Sequence, residues 1–170
     1  MNLMSGQISF FNDLGISYGL LKVESNNYSL PCILYTPRMN IAELSSACSF
    51  SLSSPIHIGY KISSTKFGNE QPSFFLVNVP ILAQLNFGYK SLYDNEMPFG
   101  TSIGLGWAYT FTTLKSNIDG SNTALHGPQM SGSMKLLQGE SFNICLGTHL
   151  QFVVNKSKSI FYGVDLFYAF

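Results

Sequence analysis

Three places in this sequence hold residue types that can do chemistry. His57 and His149 are imidazoles that could share a metal ion, but a metal site needs further ligands, and no Asp, Glu or Cys stands at ligand spacing beside either of them. Hydrogen-bonded interior histidines are the expectation, with no metal and no cofactor. Gly100 to Gly104 reads GTSIG, the spacing of a nucleophile elbow. That chemistry needs a sharp strand-to-helix turn exposing the serine, and Ser102 instead falls inside a run of alternating residues. Asp119, Ser121 and His126 put an acid, a hydroxyl and a base in one polar stretch. Such groups act only within hydrogen-bond reach of one another, which loop residues in sequence do not establish, so no catalytic residue is assigned. Cys32, Cys48 and Cys145 are odd in number and widely spaced, which suits neither a disulfide framework nor a zinc site. They read as small apolar fillers.

Composition narrows what could position such residues. The 170 residues fit one domain with a sizeable core. Only 11% are charged, against roughly 25% in ordinary soluble domains. Fourteen Phe and nine Tyr accompany that deficit, so a water-soluble surface would be hard to build. Nine basic residues balance nine acidic ones, which leaves no field to attract nucleic acid. No apolar run approaches the roughly 18 residues of a spanning helix. The start, MNLMSGQISFF, lacks a basic n-region. Residues 1–6 are expected to be the remnant of a signal peptide, with a single domain over 7–170.

A side-chain period of two recurs along the chain in eight segments. The first, about Gln7 to Leu21, sets Ile8, Phe10, Leu14, Ile16, Tyr18 and Leu20 against Ser9, Asp13, Gly15, Ser17 and Gly19. The second covers about Ser29 to Ile41, with Pro31 and Pro37 within it. The third keeps register through Pro55, where a bulge is expected, and places His57 and Lys61 on its polar face. The fourth runs from about Phe74 to Lys90 and the fifth from Pro98 to Thr112, the latter with Phe99, Ile103, Leu105, Trp107, Tyr109 and Phe111 opposite a row of Gly, Ser, Ala and Thr. The sixth spans about Pro128 to Gln138, the seventh ends at Phe152, and the eighth is SIFYGVDLFYAF, Ser159 to Phe170. Turn-rich stretches separate them, as hairpins require.

The two faces decide the architecture. The apolar rows carry the large residues, while the opposite rows are dominated by Gly, Ser, Asn and Thr with few charges. A soluble barrel would turn a charged row to water. The present rows suit a narrow, filled interior and a wall facing lipid, in an all-β, closed, antiparallel, up-and-down transmembrane barrel of eight strands. Closure requires the first and eighth strands to pair, because hydrocarbon tolerates no open sheet edge. Asp13, Arg38, His57, Lys61, Gln84, His149 and Asp165 would face the lumen as a polar network, with Lys90 and Lys135 also pointing inward.

PRMNIAELS, FSLSSPIHIGYKIS, VPILAQLNFGY, FGTSIGLGWAYTFT and GVDLFYAF together resemble the small outer-membrane β-barrel proteins of the Bacteroidota, often filed as porin-family or outer-membrane β-barrel domain proteins. The resemblance implies a bacterial outer-membrane location and contact with outer-membrane lipid. It also implies that Tyr168 and Phe170 form a signal read by the barrel-assembly machinery. With both termini in the periplasm, AELSS, YDNEM and QGE become periplasmic turns, while ESNN, TKFGNEQP, KSNIDGSNTALHG and NKSK face outward. The longest outer loop, about Leu114 to Gly127, is then the place for recognition, through Lys115, Asn117, Asp119, Asn122 and His126.

The expected function is a non-enzymatic structural or interaction role, with envelope-complex proteins as candidate partners and a lumen too narrow for general diffusion. A narrow solute channel is the alternative. A third reading is a soluble lipocalin-like barrel holding an apolar ligand, which would need the apolar rows inside.

Overall fold

A computed structural model describes residues 8–23, 26–62, 64–66, 69–71, 73–88, 99–115, 122–138, 143–155 and 159–169. Its strands are β1 (Ser9–Val23), β2 (Asn26–Ser45), β3 (Cys48–Ser53), β4 (Ile56–Lys61), β5 (Ser64–Lys66), β6 (Asn69–Gln71), β7 (Phe74–Gly88), β8 (Gly100–Lys115), β9 (Asn122–Gln138), β10 (Asn143–Phe152) and β11 (Ile160–Ala169). Strands β5 and β6 pair only with each other, as a short ribbon between β4 and β7. The other nine form one antiparallel sheet in which β3 and β4 are successive parts of a single barrel position, so the ring has eight positions. It closes where β1 meets both neighbours, with Ile16 opposite Ile33 of β2 and opposite Leu166 of β11.

The break between β3 and β4 has a chemical cause. Register is kept across it, with Ser53 opposite Arg38 and Leu82 on one side, and Ile56 opposite Tyr35 on the other. The expected bulge at Pro55 is therefore absent. Pro55 has no N–H to give the ladder, and Pro37 and Pro80 lie on the two flanking strands. Ser54 bridges the gap, its N–H donating to the Pro37 carbonyl at 3.0 Å and its hydroxyl to the Pro80 carbonyl at 2.6 Å.

Alternation fixes which side faces out. In β1, Leu14, Ile16 and Tyr18 are exposed and Asp13, Ser17 and Leu21 are buried. In β8, Ile103, Leu105, Trp107, Tyr109 and Phe111 point outward, while Ala108, Thr110 and Thr112 point in. Leu105 is 61% exposed and Thr110 is 0% exposed, the reverse of a soluble fold. An apolar belt on this scale is stable only against hydrocarbon, so the wall is a lipid-facing surface and the lipocalin-like arrangement is not the one adopted.

Several boundaries differ from the sequence expectation: β2 already begins at Asn26 within ESNN, and TKFGNEQP carries most of the β5–β6 ribbon. Strand β2 continues to Ser45 through register shifts at Asn40/Ala42 and Glu43/Ser45, which shrinks AELSS to the turn at Ser46 and Ala47. Strand β9 begins at Asn122, so the region expected as one long loop is largely strand, and only 116–121 lie between β8 and β9. Small and polar residues hid this, yet Leu125, Gly127 and Gln129 keep the inward alternation and Thr110 to Thr112 pair with Thr123 to Leu125. The remaining expected turn YDNEM lies outside the described residues, as do residues 1–6, Gly139 and Glu140 of QGE, Glu24 and Ser25 of ESNN, and Lys156 to Lys158 of NKSK.

The wall assignment predicts that Leu105→Arg destabilises the barrel in lipid bilayers by about 2–4 kcal/mol, the cost of an arginine near the bilayer midplane. Urea unfolding in phospholipid vesicles measures this. A neutral substitution would mean that Leu105 does not face hydrocarbon.

Candidate functional site in the barrel lumen

The lumen divides along its axis. At the end bearing the β1–β2, β8–β9 and β10–β11 connections, Leu21, Leu30, Cys32, Phe74, Leu76, Leu114, Leu125 and Phe161 form one buried cluster, with Val23, Tyr28 and Val153 against it. The rings of Tyr28 and Phe74 meet edge to face at 5.5 Å. These residues hold the inward parity near strand ends, so the same alternation that selects a polar row lower down places an apolar plug here.

Below the plug the interior is polar. Asn78 of β7 donates to Thr110 at 2.8 Å and to the Gln151 carbonyl oxygen at 3.0 Å, and the Gln151 amide donates to the Ala108 carbonyl at 3.1 Å. Toward the end carrying the termini, Arg38 donates to Asn86 Oδ1 at 2.9 Å with its guanidinium 4.6 Å from the centre of the Phe11 ring. Asn86 in turn donates to Ser51 at 2.9 Å and to Ser49 at 3.3 Å. Buried polar groups satisfied across several strands tie those strands to one register. A cavity of about 60 Å³ remains, lined among others by Asp13, Arg38, Gln84, Lys135, His149 and Asp165.

Between plug and cavity sits the most concentrated chemistry. Asp165 of β11 stands 3.2 Å from His57 Nε2 of β4, and 3.1 and 3.2 Å from His149 Nδ1 of β10 through its two oxygens. The two imidazole centroids are 4.1 Å apart, and Phe161 covers them from the plug side, 4.9 Å from His149 and 6.0 Å from His57. All three polar residues are buried. Chain separation concealed this: Asp165 is the carboxylate that no local spacing placed beside the histidines, and closure of the ring brings it there. Room for the His149 ring comes from its cross-strand partner Gly163, where a β-carbon would lie 2.7 Å from the His149 ring.

The other expected site residues are dispersed. Asp13, Arg38, Gln84, His57, His149 and Asp165 are buried in the lumen, as their parity implied, and Lys61 is half-buried at the last position of β4. Lys135 is buried beside the cavity, while Lys90 lies outside the described residues. His126 is not a loop residue: it lies in β9 on the outer wall, 6.0 Å from the Trp107 ring and 5.9 Å from the Tyr109 ring. Its N–H donates to Asn155 Oδ1 at 3.0 Å, and the Asn155 amide donates to the Ala124 carbonyl at 2.7 Å, so one side chain continues the ladder along β9. Lys115 and Asn122 are register partners at the ends of β8 and β9, and Asn117, Asp119 and Ser121 lie outside the described residues. Tyr168 faces outward opposite Leu14 and Ile144, and Phe170 lies outside the described residues. Sequence reasoning missed the Asn78–Thr110–Gln151 network, the Asn86 bonds to Arg38 and Ser51, and Phe161 as a lid, although all carry the inward parity.

A closed ring of eight antiparallel positions, apolar outside and polar or plugged within, defines a transmembrane β-barrel. No protein-family model matches the chain, and no curated protein matches it in sequence. Among solved structures it is similar to Neisserial surface protein A (NspA), with a TM-score of 0.58 and 11% identity over 96% of this chain and 97% of that one. It is equally similar to Ail, the attachment invasion locus protein of Yersinia pestis, in its complex with the heparin analogue sucrose octasulfate, with a TM-score of 0.58 and 10% identity over 98% of this chain and 100% of that one. Both are small outer-membrane barrels, and at such identity the likeness establishes the shared fold.

Two glycine substitutions test the packing around the triad. Gly163→Ala drives a methyl against the Tyr18 carbonyl, 2.6 Å away, and the His149 ring, 2.7 Å away, and should cost about 1–3 kcal/mol by overpacking. Gly132→Ala, where a β-carbon would meet only the Ser102 carbonyl at 3.7 Å, should be neutral or stabilise by about 0.5–1 kcal/mol. Equal effects in denaturant unfolding would contradict the described packing.

Proposed function

We propose that this protein is a non-enzymatic barrel of the bacterial outer membrane, a single domain over 7–170, whose role is structural or interactive. The carrying observation is the lumen. Its far end is filled by Leu21, Leu30, Phe74, Phe161 and their neighbours, and the cavity beneath has room for only a few water molecules. An interior so filled leaves two surfaces for contact: the apolar wall, and the connections at the plugged end, which we place outside the cell. The names of the two structural neighbours, a surface protein and an attachment invasion locus protein, are consistent with contact at the cell surface.

In this reading the wall meets outer-membrane lipid, with Tyr18, Tyr60 and Tyr109 as exposed aromatics for the interfaces. The barrel-assembly machinery inserts the chain, and envelope proteins are its candidate partners. Membership of the Bacteroidota type of small barrel belongs to the same proposal, on the sequence resemblance of its strands.

Single-channel recording from the purified protein in planar bilayers tests the lumen. The proposal expects no conductance steps above the bare membrane. Reproducible small steps would replace it with a narrow solute channel.

A further inference from the structure

We propose that His57, His149 and Asp165 form an intramembrane binding site for one divalent transition-metal ion of the zinc class, loaded from the polar cavity. The site goes beyond the structural or interaction role and does not depend on it. Two imidazoles and one carboxylate are a recurrent donor set for such ions, three protein ligands with one position left open. Here His57 Nε2, His149 Nδ1 and the Asp165 carboxylate lie within 4.8 Å of one another. Two of the three separations are 3.1–3.2 Å, close to the edge of about 3.3–3.5 Å that ligands share on a tetrahedral ion with bonds near 2.0–2.1 Å.

The surroundings favour a cation. The three groups are buried and come from β4, β10 and β11, rigid strands held by ladder pairing, so the set is preorganised. Phe161 packs on both imidazoles and shields one side from water. A buried carboxylate concentrates negative charge in a place of low dielectric, which a divalent ion offsets. Among the described residues, His57 Nδ1 and His149 Nε2 have no hydrogen-bond partner. Without an ion the inner N–H of each ring donates to Asp165; to bind one, that proton moves to the unpartnered outer nitrogen and the inner lone pair turns to the metal.

Access also fits. His149 and Asp165 line the 60 Å³ cavity together with Asp13, Arg38 and Lys135, and its hydroxyl and amide groups can hold the water that completes a four-coordinate ion. The plug closes the opposite approach, so the ion enters from the end carrying the chain termini.

The test uses the full chain, refolded in detergent, stripped with a chelator and titrated with Co²⁺ alone while visible absorption is recorded. The proposal expects one equivalent to bind with the intense d–d bands of a tetrahedral site. His57→Gln, His149→Gln and Asp165→Asn should each weaken binding by about 10-fold or more, while His126→Gln leaves it unchanged. The heat-dependent shift of each variant in SDS electrophoresis verifies that it has folded. Absence of binding to the folded wild-type barrel, or binding unaltered in all three lumen variants, would overturn the proposal. Should a lumen variant fail to fold, the wild type alone decides: Zn²⁺ should raise its denaturant midpoint, and an unchanged midpoint counts against the site.

Discussion

Pairing of β1 with β11 is the constraint on which the structure depends. Within hydrocarbon no water can satisfy a backbone N–H or carbonyl, so a sheet survives there only if its last edge finds its first. From Asp13 opposite Ala169 to Lys22 opposite Ile160, β1 and β11 provide that seam without a register shift. Once closed, the ring allows each strand two environments, lipid and lumen, and a slip of one residue would exchange them for every side chain on that strand. The outward rows are large and apolar because they meet lipid. The inward rows hold whatever an eight-position ring has space for, which explains the glycines, serines and amides there.

Closure also makes the interior chemistry. His57, His149 and Asp165 are 108 and 16 residues apart in the chain, and they become neighbours because β10 and β11 are adjacent while β4 approaches across the lumen. The apolar plug and the Asn78–Thr110–Gln151 network pin this crossing from above and beside. A narrow barrel thus converts remote polar residues into a compact site with little freedom to rearrange, in contrast to a wide pore, where such side chains would be solvated separately.

Most of the fold was legible in the sequence, since a period of two with unequal faces is a direct image of a two-sided wall. The parity assigned to Asp13, Arg38, His57, Gln84, His149 and Asp165 matches their burial. Local proline chemistry was harder: Pro55 suggested a bulge, yet Ser54 supplies the missing bonds and register survives. The extension of β9 was hidden because Asn122, Ala124 and Gly127 are not strong strand formers, and the strand there is supported by β8 and, through hydrogen bonds at Ala124 and His126, by the Asn155 side chain. The site was only half legible. Parity put both histidines inside, but cross-lumen distances depend on stagger around the ring, which no local pattern encodes.

Whether the apolar rows face lipid can be read from the single tryptophan. Trp107 lies on the outer wall of β8 with 41% of its surface exposed. Its fluorescence should be measured in vesicles containing lipids brominated at different acyl positions, with acrylamide as the aqueous quencher. A lipid-facing wall gives strong quenching by the brominated lipids and weak quenching by acrylamide. Indifference to the brominated lipids, with emission that reports a protected protein interior, would place the apolar row inside and contradict it.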